Sequence, residues 1–473
     1  MSLEKPTLFN AVSALEPQHA AVLLMVTLNA FTTPLMLSAT NVALPAISEN
    51  FSLSAVALSW VPMSYLMGSA MFILIFGRIA DIVGRKRVFL WGTQAVIVSS
   101  IFTAFSSNTE MLLLGRFLQG VSSAMLYATQ MAIVSSAMPP KQRGMAIGLV
   151  VAAVYVGLAA GPLLGGALTD GFGWRANFFL HIPLAILVLY IGSSRVKEEW
   201  LGEKSPLDYV GALLFGLTIA LLCLGISQFP GQGSIALLVL TLLSLIAFIR
   251  HVRRVEYPVW DIRLFLTNAI FTRSCAASWI MYTATYANVV LMSLYLQQIK
   301  LMSATEAGVV LMIQPFAMAV LSPLAGKFSD RIEPRILASA GMLLTALGLY
   351  FLSALNAQSQ LLTIALALAT TGVGFSLFSS PNTNAIMGSV AAKDYGSASG
   401  AVATTRILGQ LSSMVLVALC MSLMLGDGLI DATNLPALQE AIQLSFGIAA
   451  AICLLGVFLS ISRGKMPVGA SPS

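Results

Sequence analysis

Charge is what this chain has least of. Asp, Glu, Lys and Arg together make up 9% of its 473 residues, against roughly 25% in ordinary soluble domains. With 58% hydrophobic residues, that scarcity excludes a soluble globular protein and leaves an integral membrane protein. The uncharged runs have the length of about 20 residues that a helix needs to cross a hydrocarbon core of roughly 30 Å, not the short alternating pattern of barrel strands. Histidine is rarer still, at only His19, His181 and His251. Without a His-Glu-x-x-His pattern or a catalytic acidic pair, the chain is not expected to be an enzyme. No glycine-rich loop precedes a lysine and serine, which argues against a nucleotide site. The cysteines Cys223, Cys275, Cys420 and Cys453 lie far apart in apolar runs, so neither metal nor redox work is expected of them. The formal charge of +6 is scattered over short turns instead of one face, which excludes a nucleic-acid partner. No cofactor and no metal site are expected, and the partner of the surface is the lipid bilayer.

What is present is a series of apolar spans, near 20–43, 54–77, 87–106, 111–136, 144–169, 175–194, 208–228, 232–250, 270–297, 305–327, 333–355, 361–388, 397–425 and 438–461. They read as six, two and six. The division places a six-helix bundle in 1–194, a linker with two additional helices in 195–268, and a second six-helix bundle in 269–473. The first run continues for a full span without a small-residue cleavage signal, so it is expected to stay as an anchor. Basic residues mark one side of the topology. Arg78 to Arg87, Lys141, Arg143, both linkers, Lys327 to Arg335, Lys393, Arg463 and Lys465 fall on it, while Glu49, Glu110, Asp170, Glu306, Asp427, Asp431 and Glu440 fall on the other, with Arg175 and Lys300 as exceptions. Basic loops face the cytoplasm. The expectation is a multi-pass protein of the cell (inner or plasma) membrane with both termini cytoplasmic.

Three motifs stand out. Gly77-Arg-Ile-Ala-Asp81-Ile-Val-Gly84-Arg85-Lys86-Arg87 is a basic turn between two spans, and Gly326 to Asp330, followed by Arg331, repeats its glycine-to-aspartate step. The chain therefore reads as two related halves. Leu114-Gly-Arg116-Phe-Leu-Gln119-Gly120 puts an arginine well inside the fourth span, where a charge is costly and normally faces the interior. Gly157-Leu-Ala-Ala-Gly161-Pro162-Leu-Leu-Gly165-Gly166 places glycines every four residues, on one helix face. Together these resemble the signatures of the major facilitator superfamily, and Asn41-Val-Ala-Leu-Pro45 with the extra helix pair resembles its fourteen-helix drug:proton antiporter branch. The resemblance implies an all-α membrane fold of two six-helix bundles plus two central helices, about a cavity that opens alternately to each side. It implies secondary active export of amphipathic small molecules or drugs, with protons as coupling ion, and leaves a periplasmic adaptor open. Uptake or uniport of an anionic metabolite by the same fold is the alternative.

In that reading Gly77, Asp81, Gly84, Arg85, Lys86 and Arg87, with Gly326, Asp330 and Arg331, form a conformational latch, and Asp81 caps the helix starting near Tyr395 in the opposite bundle. The glycine face of the fifth span, Gly157, Gly161, Pro162, Gly165 and Gly166, is where the bundles slide or seal. Polar stripes recur at helical spacing: Arg116, Gly120, Ser123, Tyr127 and Gln130 on span four; Asn29, Thr33, Met36 and Thr40 on span one; Arg406, Gln410 and Ser413 on span thirteen. Their convergence predicts a wet interior. Asn41, Trp279, Tyr282, Asn288, Gln314 and Asn384 join it as cavity candidates, with Gln130, Tyr282 and Gln314 foremost. One departure is sharp. The branch's usual helix-one aspartate stands five residues before the motif asparagine, and here that position is Met36; no acid lies in the middle of any span. Asp170, His181 and Asp81 remain as titratable coupling candidates, beside Arg116, Gln119, Gly120 and Arg406.

Overall fold

Capping residues mark where several of the helices begin. Ser54, Asn108, Asp208, Asn268 and Ser303 each accept the backbone N–H three residues on, at 3.2, 2.8, 2.8, 3.0 and 3.2 Å, which satisfies donors that a helix start leaves without partners. Glu306 returns the bond to Ser303 N and closes a capping box. The computed structural model describes residues 15–202, 206–329, 331–390, 395–426, 428–430 and 433–464. Asp330, Lys393, Asp427, Asp431 and Lys465, named above, lie outside them.

The membrane helices are α1 (Pro17–Val42), α2 (Ala55–Val83), α3 (Arg85–Ala104), α4 (Thr109–Ala137), α5 (Pro140–Phe172), α6 (Ile182–Ser194), α7 (Tyr209–Ser227), α8 (Gln232–Val252), α9 (Ala269–Thr285 and Asn288–Leu294), α10 (Ala304–Leu311 and Ile313–Ser329), α11 (Pro334–Ser353), α12 (Leu361–Gly388), α13 (Tyr395–Leu425) and α14 (Leu435–Ile461). Thirteen stretches among the described residues are long and apolar enough to cross a membrane. The missing member is α9, which breaks after Thr285; there the Ala287 N–H donates to Ser413 Oγ of α13 at 3.1 Å, and a π turn at Tyr295–Ile299 follows. Two expectations are corrected by this. The span at 270–297 is not one continuous helix, and the charges from Arg78 to Asp81 sit within the last turns of α2, not in a loop. Gly84, at φ +125°, makes the turn alone.

In the first bundle α1 packs on α5, α2 and α3 on α4, and α1 and α3 on α6. The second repeats the pattern helix for helix: α9 on α13, α10 and α11 on α12, and α9 and α11 on α14. The bundles meet where α2 crosses α13 and α5 crosses α10, and α7 lies beside the α2/α13 seam with α8 behind it. Burial alone would raise the Asp208 carboxyl ahead of α7, but the N–H groups of Gly211 and Val259 and the His251 ring together hold it below its ordinary range. The membrane side with the Gly84 turn is called the basic side below; the one with Glu49, Glu110, Asp170 and Glu306 is the acidic side.

Candidate functional site

The interior of the first bundle is organised by Arg116, which is fully buried. Close approach of α4 to α2 puts it there: a Cβ on Gly120 would overlap the Tyr65 carbonyl, and Ser69 Oγ donates to Gly120 O at 3.0 Å. Arg116 Nε donates to Val61 O at 3.2 Å, Nη1 donates to Gln119 Oε1 at 2.7 Å, and the guanidinium lies 4.8 Å over the Tyr65 ring. All three partners are neutral. Gln119 Nε2 in turn donates to Ser100 Oγ at 2.8 Å, and Ser100 Oγ lies 2.9 Å from His181 Nε2. Met36 touches this chain, its sulfur 3.9 Å from Gln119 Nε2. His181, Asn29, Thr33, Met36 and Thr93 line a void with room for about one water. Beyond it Asn29 Nδ2 donates to Gln130 Oε1 at 3.2 Å, tying α1 to α4.

Between the bundles stands a second constellation. Tyr127 Oη is 3.1 Å from Tyr65 Oη, and Tyr127 has both Arg116 and Arg406 as electrostatic neighbours. Arg406 of α13 has Tyr282 of α9 beside it and Tyr127 of α4 and Tyr155 of α5 as electrostatic neighbours. Tyr286, which caps the first segment of α9, has Arg116 as an electrostatic neighbour and Asn41 beside its hydroxyl. Tyr155 Oη also meets Ser379 Oγ of α12 at 3.0 Å, and Tyr282 packs edge-on against Phe375 at 5.4 Å. Two arginines, one from each bundle, thus share a cluster of tyrosines. Among the described residues no Asp or Glu lies in the middle of a membrane helix.

The glycine motif of α5 divides between two neighbours, with Gly166 and Pro162 at the seam with the other bundle and the remaining glycines turned to α1. Cβ atoms on Gly157, Gly161 and Gly165 would collide with Phe31, Leu35, Ser38 and Ala39 of α1, inside the same bundle. The seam uses the neighbouring face. Gly166 abuts Ala304 and Thr305 of α10, Gly308 abuts the Pro162 carbonyl, and the Asp170 carboxylate accepts from Ala304 N (3.2 Å), Thr305 N (2.8 Å) and Thr305 Oγ1 (2.5 Å). Asp170 is an exposed helix cap across the seam, not a buried coupling acid. Ser293 and Gln297 add bonds to Val42 O at 3.2 and 2.9 Å, and Ala55 N donates to Gly428 O at 3.3 Å, so the acidic side is closed. Gly144 and Gly148 of α5 and Gly400 of α13, in the basic-side halves of their helices, have nothing within 4 Å of a Cβ.

At the basic turn, Asp81 pairs with Arg85 of its own motif (Nη2 to Oδ1 2.9 Å) and accepts no bond from α13 among the described residues. The Tyr395 to Ser397 side chains lie outside the description. The occupant is the linker after α6. Glu199 accepts Lys86 N at 2.7 Å and lies 3.8 Å from Arg87, Trp200 O accepts Arg85 N at 2.9 Å, and Gly202 N donates to Asp81 O at 2.9 Å. A side chain on Gly84 would meet Glu199, while Gly77 faces open space and requires no close approach. In the second half Gly326 lies near Ser380, and Arg331 is exposed.

Four cavity candidates fall elsewhere. Asn384 is exposed and donates to Ser329 Oγ at 2.9 Å near the basic ends of α12 and α10. Trp279 is 44% exposed and donates to Ser412 Oγ at 3.1 Å. Asn288 and Gln314 bond each other at 3.3 Å within the second bundle. Sequence reasoning missed Tyr65, Ser100, Tyr155, Glu199 and Thr305. Tyr155 and Tyr65 carried a signal as tyrosines within apolar spans; Ser100 and Thr305 carried none.

A sequence model of the Major Facilitator Superfamily matches residues 26–271 and 274–471. The chain belongs to that superfamily, and it is a membrane transporter, not an enzyme. Among its relatives are the riboflavin transporter RibZ of Clostridioides difficile, 28% identical over 94% of this chain and 97% of that one, and the multidrug resistance protein Stp of Mycobacterium tuberculosis, 32% identical over 78% of this chain and 70% of that one. The fold is that of a crystal structure of the peptide transporter POT in complex with sulfate, at TM-score 0.70 and 12% identity over 97% of this chain and 98% of that one.

Proposed function

We propose that this protein is a secondary active exporter of amphipathic small molecules, working by alternating access in the cell membrane with both termini in the cytoplasm. The observation that carries the reading is the shared cluster of Arg116 and Arg406 with Tyr65, Tyr127, Tyr155, Tyr282 and Tyr286: each bundle supplies one cation and aromatic faces, so rocking of the bundles would rebuild the site. The closed acidic side and the open space beside Gly144, Gly148 and Gly400 fit a state that receives its solute from the basic side. A relative named for multidrug resistance and another named for riboflavin both suit flat, partly polar solutes. Proton influx is the proposed coupling. His181, buried in the chain that starts at Arg116, is the titratable group placed to serve it in the absence of a helix-one carboxylate.

The second reading, uptake or uniport of an anionic metabolite, is favoured by the carboxylate-free interior. Dye transport in proteoliposomes separates the two. Under export with proton coupling, an imposed pH gradient of the correct sign drives dye against its own gradient, and His181→Gln abolishes the gradient dependence. Movement only down the dye gradient, unchanged by pH, would retire the coupled reading.

A further inference from the structure

The interior holds buried positive charge and hydrogen-bonding atoms that the protein leaves unanswered. Arg116 Nη2 is buried without a hydrogen-bond partner, and so are Tyr286 Oη, Asn41 Oδ1 and Ser123 Oγ. These atoms belong together. Tyr286 has Asn41 beside its hydroxyl and Arg116 as an electrostatic neighbour, and Ser123 stands beside the hydroxyl of Tyr65, whose ring carries the Arg116 guanidinium, so the donor left wholly without a partner is Arg116 Nη2. Three helices, α1, α4 and α9, from both bundles supply them. A buried arginine ordinarily has a carboxylate or a full set of acceptors, because an unpaired charge away from water is strongly unfavourable. Here Arg116 has one carbonyl, one amide oxygen and one ring face. Arg406 has phenols. The residue facing Gln119 from α1 is Met36, which is neutral.

Resting on the reading of this cluster as the solute site, we infer that the transported solute is an aromatic anion, a carboxylate or sulfonate on a flat ring system, and that its anionic group is the counter-charge of Arg116 and Arg406. The fork of Arg116 offers Nη2, and Tyr286 offers its hydroxyl, as donors to the anionic oxygens. The rings of Tyr127, Tyr155 and Tyr282 receive the aromatic body. Cationic amphiphiles are disfavoured because two guanidiniums with no intervening acid repel them.

The test uses full-length protein in nanodiscs and in proteoliposomes, with three probes built on one xanthene ring: a free carboxylate, its neutral ester, and a cationic analogue. Fluorescence anisotropy should show the carboxylate binding about 10- to 100-fold tighter than the ester, as charge-assisted bonds predict. In Arg406→Gln the preference should fall to within a few-fold while the thermal midpoint stays unchanged. Arg116→Gln should act likewise, and if it does not fold, Tyr286→Phe reports on the same donors. Equal binding of the three probes, or an anion preference that survives Arg406→Gln and the Arg116→Gln or Tyr286→Phe change, overturns the inference. Selective anion binding without vectorial transport upholds it and refutes the exporter reading. Transport of the cation with no anion preference does the reverse.

Discussion

One added carbon at Gly161 has nowhere to go, since a Cβ there would stand 2.6 Å from Ser38 Cβ. Gly161→Ala should therefore destabilise by about 1–3 kcal/mol through overpacking, read as a lower thermal midpoint in detergent. Gly144→Ala and Gly148→Ala meet open space and should be neutral or stabilising by up to roughly 1 kcal/mol from helix propensity. Equal effects at the three sites would refute the packing account. Asp208 gives a second prediction at this scale. Its folded carboxyl sits below the ordinary range, so its stabilising contribution is present above the unfolded value near pH 4 and lost as pH falls through the folded one. The difference in midpoint between wild type and Asp208→Asn should be full at pH 7 and shrink below about pH 4. A difference constant down to pH 3 would mean that its bonds do not depend on charge.

Among the elements, the seam between α5 and α10 closes the acidic side through one carboxylate over one helix start. Asp170→Asn keeps the shape and removes the charge, so it should move the population toward opening on that side. Spin labels at Phe172 and Leu301, which are 80% and 81% exposed, can be placed selectively because the four cysteines are buried. Their distance distribution should gain a longer component in the variant; an unchanged distribution would show that the cap does not hold the seam. The linker gives the companion test. Glu199→Ala frees Lys86 N and Arg87 and should speed protease cleavage between 195 and 207, with the rest of the chain unaffected. Such contacts mark the limit of what could be read from the chain. The fourteen spans and the buried place of Arg116 followed from hydropathy and the cost of charge in lipid. The face of α5 that meets α10 did not, because a glycine ladder announces close approach without naming its neighbour. Glu199 escaped notice for the same reason: it works on a turn more than a hundred residues away. The break in α9 was invisible since no proline or glycine marks it, and Ser413 supplies the missing bond from another helix.

At the scale of the whole molecule, the two bundles repeat one packing pattern and differ in what they enclose. The first holds a polar chain from Arg116 to His181, and the second supplies Arg406 and the broken α9. The missing acids also have an energetic meaning. A protein that carries an anion, with no carboxylate of its own to shuttle, moves net negative charge whenever it turns over. An interior-negative membrane voltage then expels the solute directly, with about 2.3 kcal/mol per 100 mV for each charge, which corresponds to roughly fifty-fold accumulation outside at 100 mV. Clamping proteoliposomes with a potassium ionophore should set the dye gradient in the absence of any pH difference, and reversing the clamp should reverse the flow. The cell's voltage would then add its own drive to the proton coupling proposed for His181, with Met36 standing where the branch has its helix-one aspartate.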